Sequence, residues 1–86
     1  MPLIGQIFGM TFYMYYGDHE PPHFHVRSAW FKAKVDIGDT GLNEVTGRMR
    51  PQDANRVRTW ALRHRGALLD NWERARRKEP LERIED

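Results

Sequence analysis

The proline pair Pro21-Pro22 is the feature that most constrains this chain, because it lies inside a stretch of chemically active side chains. Three of the four histidines fall within the seven positions from His19 to His25. Proline has no backbone N–H and a fixed φ, so neither a helix nor a central strand can continue through the pair. The stretch therefore predicts a rigid connection that brings side chains active near neutral pH to one place.

Length and composition indicate one small domain. The chain has 86 residues and no cysteine, so packing must stabilise it without disulfides, and thiolate metal sites are excluded. Its ten aromatic residues supply much of the core. There is no apolar run long enough to span a membrane, and the first residues do not resemble a signal peptide. We expect a cytoplasmic protein.

Alternating side chains predict three to four strands within residues 6–49. Residues 6–16 are rich in aromatics and predict one strand, and residues 17–22 a connection. A second strand starts at His23 and a third at Phe31, with Ser28-Ala29-Trp30 as the turn between them. Residues 42–49 predict a weaker fourth strand.

The alternation also assigns the two faces of this antiparallel meander. One face is apolar and includes Phe8, Met10, Phe12 and Met14. The other face is basic and aromatic, and we place on it His23, His25, Arg27, Lys32 and Lys34, joined by Tyr13 and Tyr15 if the register allows.

Beyond Pro51 the apolar period changes to that of a helix, over about residues 52–78. The stripe keeps its phase across Gly66, so we predict one long helix, kinked or split near Gly66. Packing this stripe on the apolar face of the sheet gives a two-layer α+β domain, in which His64 is a buried, neutral histidine. An acidic tail, residues 79–86, follows and could fold back on the helix.

Charge is unevenly distributed: residues 48–78 carry +7, against −2 before and −3 after them. Such a block attracts nucleic acid or an acidic protein, although a solvated helix surface has the same composition. Arginine suits bidentate contacts to phosphate, so Arg56 and Arg63 are candidate nucleic-acid contacts together with Lys32, Lys34, Tyr13 and Tyr15.

The histidines allow three interpretations. His19, His23 and His25, with a neighbouring carboxylate, could bind zinc, nickel, copper or ferrous iron. Alternatively they could act without a metal as acid and base in phosphodiester cleavage, with Arg27 and a lysine stabilising the charge. In the third interpretation Asp18 caps a turn and the histidines only satisfy backbone groups.

The stretch Asp18-His19-x-Pro21-Pro22-His23-Phe24-His25 resembles domain-of-unknown-function family 4160. Further similarities are Pro2, Phe8-Gly9, Met14-Tyr15, Trp60-x-x-x-His64-Arg65 and Leu68-Leu69-x-Asn71-Trp72, whereas Gly66-Ala67 departs from the pattern. The resemblance implies a small bacterial protein similar to the toxin half of a type II toxin–antitoxin pair, with a small antitoxin encoded nearby and a target in translation or nucleic acid.

Three functions are therefore open. The first is a toxin-like component that acts on RNA through the histidines, as a ribonuclease with or without a metal. The second is a three-histidine metal-binding domain, hydrolytic or not catalytic. The third is a non-catalytic binding module that uses the arginine-rich helix or an exposed sheet edge, where a homodimer could also form.

Overall fold

The computed structural model describes residues 2–85 and has an antiparallel sheet followed by two helices. The five strands lie side by side in chain order. Their bounds are β1 Leu3–Ile7, β2 Met10–Tyr13, β3 His23–Arg27, β4 Phe31–Asp36 and β5 Leu42–Gly47; the helices are α1 Pro51–Arg63 and α2 Arg65–Arg76. The α+β class and the meander are confirmed.

The single strand predicted over residues 6–16 is wrong, because Phe8 and Gly9 form a tight turn that divides it into β1 and β2. Both residues have positive φ, 49° and 75°, and Ile7 pairs with Met10 across the turn. Positive φ at both central positions is typical of the two-residue turns that suit strand twist, and glycine supports it. Phe8, predicted in the apolar face, is therefore 67% exposed.

The remaining strand predictions agree better with the structure. The weak strand is β5, an edge strand whose side chains are mostly exposed. On β2, Met10 and Phe12 are buried as predicted, and Met14 just beyond it is buried too. Tyr13 pairs with His25, which places it in the basic face as predicted.

The predicted single helix is two helices, and the break falls at His64 rather than at Gly66. His64 has φ −111° and ψ 23°, which is not helical, and it ends α1 and precedes α2. It is half-buried, not buried as predicted. The apolar stripe still faces the sheet, because Val57, Trp60, Leu68 and Trp72 are all buried.

The core forms between the apolar face of the sheet and these helices. The indole of Trp60 stacks on Phe12 with ring centroids 4.1 Å apart and meets Phe24 edge-on at 5.8 Å. Such aromatic pairs add about 0.5–1.5 kcal/mol beyond the area they bury. Within residues 2–85 no helix has the length and apolarity that a membrane crossing requires.

The segment after α2 packs against the domain. The Ile84 backbone N–H donates to the Ile4 carbonyl at 2.7 Å, beside the edge strand β1. The amide of Asn71 exchanges two hydrogen bonds with the backbone of Glu82, at 2.8 and 2.9 Å. The Glu82 carboxylate also pairs with Arg74 at 3.1 Å, so part of the acidic tail neutralises α2.

Two glycine substitutions should have opposite effects on stability. A Cβ at Gly66 meets nothing within 4 Å, so Gly66→Ala should raise the free energy of unfolding by about 0.5–1 kcal/mol through helix propensity. A Cβ at Gly5 would lie 2.8 Å from Cζ2 of Trp60, so Gly5→Ala should lower it. Urea denaturation measures both; a destabilised Gly66→Ala variant would contradict the described α2.

Candidate metal centre

The loop between β2 and β3 is held by three contacts. The Gly17 N–H donates to the Ala75 carbonyl at 3.1 Å, and the Ile37 N–H to the Pro22 carbonyl at 3.0 Å. Glu20 pairs with Arg76 at 3.4 Å, and the Glu20–Pro21 peptide bond is cis. The loop is thereby fixed to α2 and to the end of β4.

This loop places the Asp18 carboxylate over two histidine rings of β3. Its Oδ2 lies 2.8 Å from Nε2 of His23 and 3.4 Å from Nε2 of His25. The three residues each offer one ligand atom, and these atoms lie within 4.8 Å of one another. His23 and His25 converge because residues two apart on a strand point to the same face.

The His23 ring has a fixed orientation. It is 1% exposed and packs against Trp72, with ring centroids 5.1 Å apart. Its Nδ1 lies 2.7 Å from the Pro21 carbonyl, which can only accept a hydrogen bond, so Nδ1 carries a proton. Nε2 is then the nitrogen left to face Asp18.

A positive species must therefore lie between His23 Nε2 and Asp18. An unprotonated Nε2 would direct its lone pair at a carboxylate, which is repulsive. Either a proton makes the ring an imidazolium paired with Asp18, or a metal ion is bound by both groups. Fixing Nδ1–H with a carbonyl is also the usual way in which proteins orient a metal-binding histidine.

The electrostatics keep the outer two groups in their metal-binding forms. Burial alone raises the pKa of Asp18, but hydrogen bonds from the His19 backbone and from His25 and His23 outweigh it, so the pKa lies below its usual value. Burial lowers the pKa of His25, and the charges of His23 and Lys34 add to this against the opposing effect of Asp18. The carboxylate and the neutral imidazole of His25 are the forms that bind a cation.

Aromatic and basic side chains surround His25. The Tyr13 ring stacks on it at 5.3 Å and the Tyr15 ring meets it edge-on at 4.9 Å. Burial raises the pKa of Tyr13, helped by Tyr15, so the phenol keeps its proton. Arg27 lies over Tyr13, and Lys34 is the cross-strand neighbour of His25.

The predicted site residues are only partly brought together. His19 is 82% exposed at its side chain; its Nδ1 lies 3.1 Å from Asp18 Oδ1, on the side of the carboxylate away from the converging nitrogens. The structure therefore groups Asp18, not His19, with His23 and His25. His23 itself was expected on an open polar surface, but it is buried.

The candidate nucleic-acid contacts lie in two places. Lys32 and Lys34 are on the basic face, and Lys34 pairs with Glu44 at 3.7 Å. Arg56 is on α1, where it lies over the Phe8 ring at 4.1 Å. Arg63 lines a groove together with Arg56 and Phe8. Because α1 covers the apolar face of the sheet, these two arginines do not adjoin the histidines.

The fold and site together define an α+β domain with an Asp-His-His cluster at one end of a five-stranded meander. The chain belongs to the family described as Domain of unknown function (DUF4160), whose model matches residues 9–73. That range includes the whole cluster. Searches of curated proteins and of solved structures found no match.

Removing the Asp18 carboxylate should destabilise the fold, because it leaves the buried Nε2 of His23 without a partner. We expect Asp18→Ala to lower the free energy of unfolding by about 1–3 kcal/mol. His19→Ala, on the exposed side, should change it by less than about 0.5 kcal/mol. Urea denaturation in the presence of a chelator measures both, and equal effects of the two substitutions would contradict the network.

Proposed function

We propose that the protein binds a divalent transition-metal ion through Asp18, His23 and His25 and uses it for hydrolysis. The observation that carries the proposal is the convergence of three ligand atoms within 4.8 Å, one of them on a buried ring whose other nitrogen donates to a carbonyl. Two imidazoles and one carboxylate suit zinc or ferrous iron.

Two of the three separations in the cluster, those from Asp18, are close to what a metal requires. Ligands about 2.0–2.2 Å from a tetrahedral ion lie roughly 3.3 Å apart. The separation of 3.4 Å between Asp18 Oδ2 and His25 Nε2 already fits, and that of 2.8 Å to His23 Nε2 must widen by a few tenths of an ångström. Asp18 lies on a loop, so its side chain can make this adjustment.

Three protein ligands would leave a coordination position open, as in catalytic zinc sites. A divalent ion bound here would supply Lewis acidity to a carbonyl or phosphoryl oxygen. The Pro21 carbonyl orients His23, the stacked Tyr13 ring holds His25, and Lys34 and Arg27 supply positive charge beside the site. This surrounding charge favours an anionic substrate.

Metal titration of tag-free protein tests the proposal. At zinc concentrations about 100 times the dissociation constant we expect stabilisation of about 2.7 kcal/mol, observed as a higher melting temperature. Asp18→Asn and His25→Ala should abolish both the shift and stoichiometric zinc uptake, measured calorimetrically.

The matched control is His19→Ala, which removes a histidine from the same loop but not from the converging set. It should bind zinc as the wild type does. Absence of zinc, nickel, copper and iron binding by the wild type, or equal loss of binding in His19→Ala, would contradict the proposed ligand set.

A second candidate function is favoured by the side chains around His25. We propose that this basic, aromatic face acts on RNA as the toxin-like component of a toxin–antitoxin pair, with His25 as the reacting histidine and an antitoxin as partner. Arg27 and Lys34 are suited to phosphate, and the exposed Tyr15 ring is suited to a base. In this second candidate function, His25 and its neighbours would act on RNA without a metal ion.

Induced expression in a bacterial host tests this second candidate. Growth should arrest with the wild type and with His19→Ala, but not with His25→Ala at equal levels of folded protein. Extracted RNA should show cleavage before growth stops. Arrest by folded His25→Ala, or no arrest by the wild type, would contradict it.

A further inference from the structure

We propose that the tip of the β3–β4 hairpin binds single-stranded nucleic acid, with one base stacked on Trp30 and its phosphates on Arg48 and Lys32. This Trp30 surface consists of Trp30, Lys32, Arg48 and Arg50. The proposal deepens the RNA-directed candidate function, and it does not depend on the metal site.

Trp30 is exposed although its backbone is firmly held. The indole is 72% exposed, which is unusual for a residue type that is mostly buried. The Ser28 hydroxyl accepts hydrogen bonds from the Trp30 and Phe31 N–H groups at 3.0 and 3.2 Å. The Arg48 N–H donates to the Trp30 carbonyl at 2.8 Å. A fixed backbone presenting a free aromatic ring is a preorganised stacking platform.

Gly47, the last residue of β5, allows the backbone of that strand to lie close to the backbone of Trp30. It has φ 95°, and a Cβ there would lie 2.3 Å from the Trp30 carbonyl oxygen. The close approach brings Arg48 next to the indole. Arg48 and Arg50 line a cavity of about 290 Å³ with Trp30, and Lys32 and Thr46 line another of about 290 Å³ beside it. There is thus room for a phosphate or a base beside the ring.

Two of the three cations of this surface are not neutralised by the protein itself, whereas the third, Arg50, pairs with Asp53 at 3.0 Å. Among the described residues, Arg48 and Lys32 form no ion pair, and Arg27 contacts the Tyr13 ring. In contrast, the arginines at the C-terminal end of α2 are paired: Arg74 with Asp70 and Glu82, and Arg76 and Arg77 with Glu73. Unpaired cations beside an exposed aromatic ring complement a phosphate backbone, whereas these paired arginines do not.

The surface continues towards the Asp-His-His cluster. Arg27 pairs in register with Lys32, and Lys32 with Thr46, all at the Trp30 end of the sheet. His25 lies two residues from Arg27 on the same face of β3, about 7 Å away. A strand seated on Trp30 would therefore extend along Arg27 to His25 within two or three nucleotides.

An acidic peptide could pair with the same cations, but its binding would not require stacking on the indole. A duplex would offer phosphates but no unstacked base. The requirement for an aromatic ring at position 30 therefore separates single-stranded nucleic acid from both.

Fluorescence anisotropy with labelled ten-nucleotide oligouridine and oligodeoxythymidine, in the presence of a chelator, tests the proposal. Trp30→Ala should weaken binding about tenfold or more, from the stacking of one base, and Trp30→Phe should restore most of it. Leu62→Ala, which removes another large side chain that is 62% exposed, should leave affinity unchanged. Comparing the two oligonucleotides shows whether RNA or DNA is preferred.

The charge part of the proposal is tested by salt dependence. Arg48→Ala should reduce the slope of log affinity against log salt by about 0.7, the value for one phosphate of a single strand. Arg77→Ala, on a paired arginine, is the matched control and should leave the slope unchanged. No oligonucleotide binding, equal binding of duplex, binding of oligoglutamate instead, or full affinity in Trp30→Ala would each overturn the proposal.

These outcomes are independent of the proposed metal site. Zinc uptake is measured without oligonucleotide, and oligonucleotide binding is measured without metal. If either zinc uptake or oligonucleotide binding is not observed, the other measurement can still be interpreted.

Discussion

The hydrogen bond between Asp18 and the buried His23 ring is the interaction on which the arrangement of the site depends. It joins the proline-containing loop to the first residue of β3 and closes that end of the sheet. With Nδ1 of His23 donating to the Pro21 carbonyl, the ring is fixed at both nitrogens. A buried histidine between a carbonyl and a carboxylate requires either a proton or a metal ion between its Nε2 and Asp18, so the structural pair and the proposed metal site use the same atoms.

The rest of the fold supports this geometry. The meander brings Tyr13, His25 and Lys34 side by side on three neighbouring strands, so the environment of His25 follows from strand register. The helices cover the opposite face, and α2 contributes Trp72 against His23 and the Ala75 carbonyl for Gly17. The helices that cover the apolar face thus help to position the Asp-His-His cluster, although they contribute none of its three residues.

Periodicity predicted the α+β class, the order of the strands and the two faces of the sheet, because side-chain alternation determines which residues can be buried together. It did not locate the turn at Phe8-Gly9 or the break at His64, since each depends on a single residue's φ and ψ within an otherwise continuous pattern. The histidines were recognisable from their spacing, but the central role of Asp18 was not. A carboxylate five residues before His23 reaches that ring only because of the path of the loop, and tertiary hydrogen bonds to α2 and β4 set this path. The available signal in the sequence was the position of Asp18 directly after Gly17, where the strand predicted over residues 6–16 ends.

Anomalous diffraction at the zinc edge, from crystals grown with zinc, is the most direct test of the proposed metal site. We predict one strong peak about 2.0–2.2 Å from Asp18 Oδ2 and from Nε2 of both His23 and His25. We also expect the Pro21 carbonyl still to accept a hydrogen bond from Nδ1 of His23. The absence of a peak at this cluster, with the Asp18–His23 hydrogen bond intact, would contradict the proposal. The cluster would then be a structural imidazolium–carboxylate pair.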